Sequence, residues 1–113
     1  LIASSEWFAF IPAKEYFDEP GDHADELETS VMMHYHPELV NLDEAGDGNY
    51  KKFASQMLNE KVAWIPRNWQ NVSQDTGIGN PKKASAGKGK KYAEAVVAKY
   101  ALLFEELVHK ELY

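Results

Sequence analysis

The longest regular pattern of apolar and polar positions closes the chain. From Ser85 to Tyr113, the residues Tyr92, Val96, Tyr100, Leu103, Phe104, Leu107 and Val108 recur with the period of an amphipathic helix. Glu94, Lys99, Glu105 and Lys110 take much of the solvated side, and Gly87 and Gly89 weaken the first turns. A second stripe, Ala24, Leu27, Val31, Met32 and Tyr35, predicts a helix over 24–35 that Pro37 stops. Asp22 is its candidate N-cap, and acids at 25, 26 and 28 suit the positive end of the helix dipole. Residues 1–12, rich in aromatic and aliphatic side chains and ended by Pro12, predict a strand; 61–65, ended by Pro66, predict a second. Residues 14–18 suit one helical turn, and Glu19-Pro20-Gly21 a turn. Tyr50, Phe53 and Met57 suggest a short helix within 49–61, and the glycines and proline of 68–81 an ordered loop. Strands alternating with helices favour an α/β fold with 1–113 as one domain or part of one. Two strands do not make an adequate sheet, so further strands are expected from a longer protein or a partner.

Composition narrows the functional classes. The 113 residues carry a formal net charge of -6, which argues against broad binding to a phosphate backbone. There is no cysteine, so a disulfide framework and a thiolate metal site are both excluded, and any metal must use His, Asp and Glu. The lack of cysteine fits a cytoplasmic location. No apolar run is long enough to span a bilayer. The run begins at Leu1 without Met, inside a strand-like segment, which fits a piece of a longer protein.

Titratable groups concentrate at the predicted mouth of the 24–35 helix. Asp22 beside His23 suits an acid-oriented general base, since a carboxylate fixes an imidazole's tautomer; the plainer reading is a capping Asp followed by a surface His. Glu28 falls within the apolar stripe, with Asp25, Glu26 and Thr29 toward the other side. A carboxylate there needs a partner, so Glu28 is either a metal ligand or second acid facing His23, or a buried Glu satisfied by backbone or Tyr hydroxyls. Trp7, at a strand end, either stacks on a flat substrate or packs in the core. His34 and His36 are two apart and face different ways on a helix, which disfavours a shared metal. The basic run 82–91 lacks the spacing of a phosphate-binding loop.

The run Asp22-His23-Ala24-Asp25-Glu26-Leu27-Glu28-Thr29-Ser30, followed by Pro37-Glu38-Leu39-Val40, resembles the creatininase (creatinine amidohydrolase) family. That family's pattern there is an acid, His-Ala/Gly-Gly, two variable residues, Glu-Thr-Ser and Pro-Asp/Glu-Leu-Val. Ser5-Glu6-Trp7-Phe8 resembles the family's Trp-bearing strand, and Gly77-Ile78-Gly79-Asn80-Pro81 with Ala84-Ser85 and Lys88-Gly89 its run before the last helix. The resemblance implies a three-layer α/β/α fold on a largely parallel sheet, of which this chain is the C-terminal half. It implies hydrolysis of a small cyclic amide or formamide, assisted by a divalent metal (Zn, Mn or Fe), in a homo-oligomer that is a hexamer in several members. Carried over by position, His23 is the catalytic acid/base, Asp22 contacts substrate or orients groups, Glu28 sits at the metal, and Trp7 walls the substrate pocket. The family's principal ligands, in Glu-x-His-Gly-x-His and His-Gly-Gly-Asn runs, do not occur in these residues and are expected upstream. Glu19-Pro20-Gly21 and Asp25 depart from the family's Trp and Gly, so the substrate need not be creatinine. The competing class is a non-catalytic oligomerisation or binding module.

Overall fold

The computed structural model describes residues 2–111 and 113. Its centre is a pair of helices, α1 (Glu26–Tyr35) and α4 (Ala86–His109), packed against each other. Two four-residue helices, α2 (Gln56–Asn59) and α3 (Trp69–Val72), sit in the long connection between them. Single 3-10 turns form at Ala13–Glu15, Pro37–Leu39 and Leu42–Glu44.

α4 starts where the sequence predicts: Ser85 is its N-cap, and its side chain accepts a hydrogen bond from the Lys88 N–H. Gly89, Tyr92, Ala93 and Val96 form its buried stripe. Gly89 is there because α1 passes close by: a Cβ at this position would overlap the Ser30 carbonyl. The small Ser30 serves the same contact from the other side, and its Oγ accepts from the Ser85 N–H at 3.1 Å. Two small residues thus let the helix backbones approach.

Tyr92 is the hub of the core. It is fully buried, donates to the Ile11 carbonyl at 3.3 Å, and meets the rings of Trp7, Tyr16 and Phe17 edge-on. Ile11, Phe17, Leu27 and Val96 complete the cluster. The second half of the α4 stripe is different: Phe104 is 62% exposed and Val108 75%. The molecule is drawn out accordingly, with a radius of gyration of 16.7 Å against roughly 13 Å for a compact domain of this length.

The expected three-layer α/β fold is not what forms. Among the described residues there is no strand and no sheet, only two isolated antiparallel bridges, His23 with Ile78 and Tyr50 with Ser73. The first predicted strand closes on itself at Ala9, whose N–H donates to the Glu6 carbonyl, and lays Trp7 and Ile11 on α4; Leu1 lies outside the described residues. Residues 62–65 have no ladder partner, and Trp64 is 82% exposed. An apolar run becomes a strand only when another backbone takes its N–H and C=O groups, and here the neighbouring surfaces are helix faces.

The helix predicted over 24–35 starts at Glu26, and its cap is Asp25 instead of Asp22: the Asp25 carboxylate accepts from the Glu28 N–H at 2.9 Å. The buried carboxylate of α1 is Glu26, not Glu28. Glu26 is 0% exposed, accepts from the Glu19 N–H at 2.6 Å, and is ion-paired to Lys88 of α4, which also reaches Asp18 at 2.7 Å. The helical wheel of α1 places the burial cost at position 28; the fold buries position 26 instead, where Lys88 and the Glu19 N–H offset the cost.

Candidate functional site

Two loops meet at the mouth of α1. Asp22 and His23 donate their N–H groups to the Ile78 carbonyl at 2.8 and 3.0 Å, and the Ile78 N–H returns to the His23 carbonyl at 2.8 Å. This double bond to the Gly77-Ile78-Gly79 turn fixes the backbone of His23. The turn is itself pinned: Asp75 Oδ1 accepts from the Gly77 N–H and Ser73 Oγ donates to the Gly77 carbonyl. Gly79 lies at φ +126°, and a Cβ there would sit 2.7 Å from that of Asp25, so the close crossing of the two loops requires glycine.

After His23 the chain passes through Ala24 at φ +48°, a left-handed conformation unusual for alanine. The turn aims the Ala24 N–H at the Glu28 carboxylate, which accepts it at 2.7 Å. The same oxygen, Oε2, lies 3.7 Å from Nδ1 of His23, and the two side chains are 37% and 46% exposed. Glu28 is therefore neither buried nor satisfied by a tyrosine. It folds back over the helix mouth and faces the imidazole. A carboxylate so placed gives Nδ1 of the ring an acidic neighbour.

Asp22 points elsewhere. Its carboxylate accepts from Arg67 Nη2 at 2.7 Å, and among the described residues it makes no hydrogen bond to His23. Arg67 lies over the Trp69 ring, 5.5 Å from its centroid, and Trp69 packs against His23 with ring centroids 5.0 Å apart at 52°. Trp69 falls within the ordered loop predicted over 68–81, and Arg67 lies between that loop and the strand predicted over 61–65, so neither carried a periodic signal.

Beside the mouth runs a groove of about 550 Å³, mostly apolar, whose walls include Trp7, Glu28, Met32, Leu39 and Val40. Trp7 has one edge on the core ring of Tyr92 and lines this groove as well, so the two readings of that residue coexist. The Pro37–Leu39 turn that ends α1 supplies the far wall. Of the four residues singled out from the sequence, Glu28 and Trp7 line this groove, His23 meets it only through Glu28, and Asp22 is turned to Arg67.

No three His, Asp or Glu side chains among the described residues converge as a metal site. Glu28 offers one free carboxylate edge, Oε1, and a first-row ion needs four or more donors. These residues do not by themselves fit a divalent metal.

A family model described as creatinine amidohydrolase matches residues 4–104. The chain belongs to the creatininase family. The crystal structure of a Bacteroides fragilis protein, described as a putative creatinine amidohydrolase, shares 58% sequence identity with it and superposes with a TM-score of 0.92. The match covers the whole of this chain and 45% of the Bacteroides fragilis chain, so the present chain spans less than half the length of that protein. Among curated proteins, none matches it. Among the described residues no helix is long and apolar enough to cross a membrane.

Proposed function

We propose that this chain supplies the proton-transfer half of an amidohydrolase site acting on a small cyclic amide or formamide. The observation that carries the reading is the pair His23–Glu28, set 3.7 Å apart at a helix mouth, with Glu28 also lining the groove walled by Trp7. Amide hydrolysis needs a proton delivered to the departing nitrogen, because an amide anion is a poor leaving group. His23 delivers it, with the Glu28 carboxylate facing its Nδ1. Trp7 presents a flat apolar wall against which a planar amide can lie. Asp22, anchored by Arg67, holds the segment that carries His23.

The metal dependence that the family resemblance implies requires ligands from outside these residues, and Glu28 contributes at most one oxygen. Bound, the ion would supply the activated water. The reading is tested in the complete protein with creatinine and N-formylated amines as probes. His23→Ala is expected to lower turnover at least about 100-fold while leaving the circular dichroism spectrum unchanged. Wild-type turnover in that variant would overturn it.

A second reading, a binding or oligomerisation module, is favoured by the bare apolar face of α4 at Leu103, Phe104 and Val108. It requires that Phe104→Glu alter the assembly state seen by light scattering, and that no probe be hydrolysed by the complete protein.

A further inference from the structure

The His23 ring is held by more than the acid beside it. Its backbone is fixed by the Ile78 bridge, and its Nδ1 faces Glu28, but neither contact fixes the rotation of the ring about its side-chain bonds. The remaining neighbour is Trp69, the first residue of α3, at 5.0 Å between centroids. Trp69 is itself secured. Arg67 lies over its ring and ties the 67–69 segment to Asp22, forty-five positions away and next to His23. At the other end of α3, the Lys51 N–H donates to the Val72 carbonyl at 2.7 Å, and Ser73 bridges to Tyr50. A four-residue helix that would be unstable alone is anchored at both ends, with its one aromatic side chain laid against the imidazole.

We propose that Trp69 is a positioning residue for His23 and that Arg67 locks it in place. Trp69 limits the ring to the orientation in which Nδ1 faces Glu28, so that the opposite nitrogen is presented for proton transfer. The acid of the Asp22-His23 dipeptide then acts through Arg67 and Trp69 and not on the imidazole directly. This rests on the proposed role of His23 in catalysis, but the packing claim stands apart from it and is measured separately.

The experiment compares wild type, Trp69→Ala, Trp69→Phe and Arg67→Met in the complete protein. Imidazole resonances are followed by NMR after selective histidine labelling, with the His23 signals assigned from His23→Ala. Turnover is measured with creatinine and an N-formylated amine. Trp69→Ala is expected to move the His23 ring resonances through loss of the indole ring current. It is expected to lower kcat about 10- to 100-fold with KM changed less than about threefold. Trp69→Phe, which keeps a flat ring, restores most of both; Arg67→Met, which frees Trp69 without removing it, gives smaller changes of the same sign and serves if Trp69→Ala does not fold. Unmoved His23 resonances in Trp69→Ala and Arg67→Met overturn the proposal, as does a rise in KM with kcat unchanged, which would make Trp69 a substrate contact. If wild type hydrolyses neither probe while the resonances move as expected, the positioning holds and the proposed reaction fails.

Discussion

Ser30 shows how a residue with little sequence signal comes to matter. It is fully buried between two helices, and its hydroxyl accepts the Ser85 N–H at the start of α4. Ser30→Ala leaves that donor without its acceptor, and we expect a loss of about 1 kcal/mol in urea unfolding. The two glycines of α4 make a sharper pair. Gly89→Ala forces a methyl into the Ser30 backbone and is expected to cost about 3 kcal/mol, since neither helix can give locally. Gly87→Ala meets nothing within 4 Å and is expected to stabilise the helix by about 0.5–1 kcal/mol. Equal effects at the two positions would refute the close-approach account. Glu28 and Glu26 carry the same lesson for charge. Both lie in the first turn of α1, and which is buried depends on where Lys88 stands.

At the scale of elements, the segment before α1 is bound to the helix pair by ion pairs. Lys88 holds the Asp18 carboxyl below the ordinary carboxylate range through a hydrogen bond and its charge, and Lys83 does the same for Glu19. Reciprocally, Asp18 and then Glu26 raise Lys88, and Glu19 raises Lys83. The carboxyls are lowered on folding, so their stabilisation is complete above about pH 4 and lost as the pH falls through their folded values. The lysines are raised, so theirs is complete below about pH 10 and lost as the pH rises through their folded values. Thermal unfolding is expected to show a plateau between these limits with a fall at each side. In Lys88→Met the acid-side fall should shrink, because Asp18 then keeps only the weaker attraction of Lys83. An unchanged acid limb in that variant would count against the role given to Lys88. The same substitution strands Glu26 in the core, so its midpoint is expected to drop even on the plateau.

The whole molecule is a small aromatic core with two extended flanks. Tyr92 joins the N-terminal segment to α4, and burial raises its phenol above the ordinary tyrosine range. Tyr92→Ala is expected to cost about 3–5 kcal/mol by analogy with other large aromatic truncations, whereas Tyr92→Phe loses only a long hydrogen bond to Ile11 and should cost about 1 kcal/mol. Calorimetry of both variants separates packing from the hydroxyl. Trp64, Phe104 and Val108 lie at the flanks, away from this core. Their exposure is the whole-molecule counterpart of the incomplete ligand set at the helix mouth.

What the sequence determined by itself was local. The period of α4, its Ser85 cap, the stop at Pro37 and the turn chemistry of Gly77-Ile78-Gly79 are fixed by steric and hydrogen-bonding preferences of neighbouring residues. Tertiary structure decided whatever depended on a distant partner. Apolar runs at 1–12 and 61–65 read as strands because their composition suits a sheet, yet among the described residues no backbone pairs with them to complete one. Asp22 reads as a cap or as the partner of His23 until Arg67 arrives from forty-five residues away and takes it. Asp25 then caps the helix, Glu28 turns to the imidazole, and Trp69 closes on the ring from a loop that carried no periodic signal. Spacing along a chain reports which face a residue shares; it does not report which opposite charge or ring will meet that face in space.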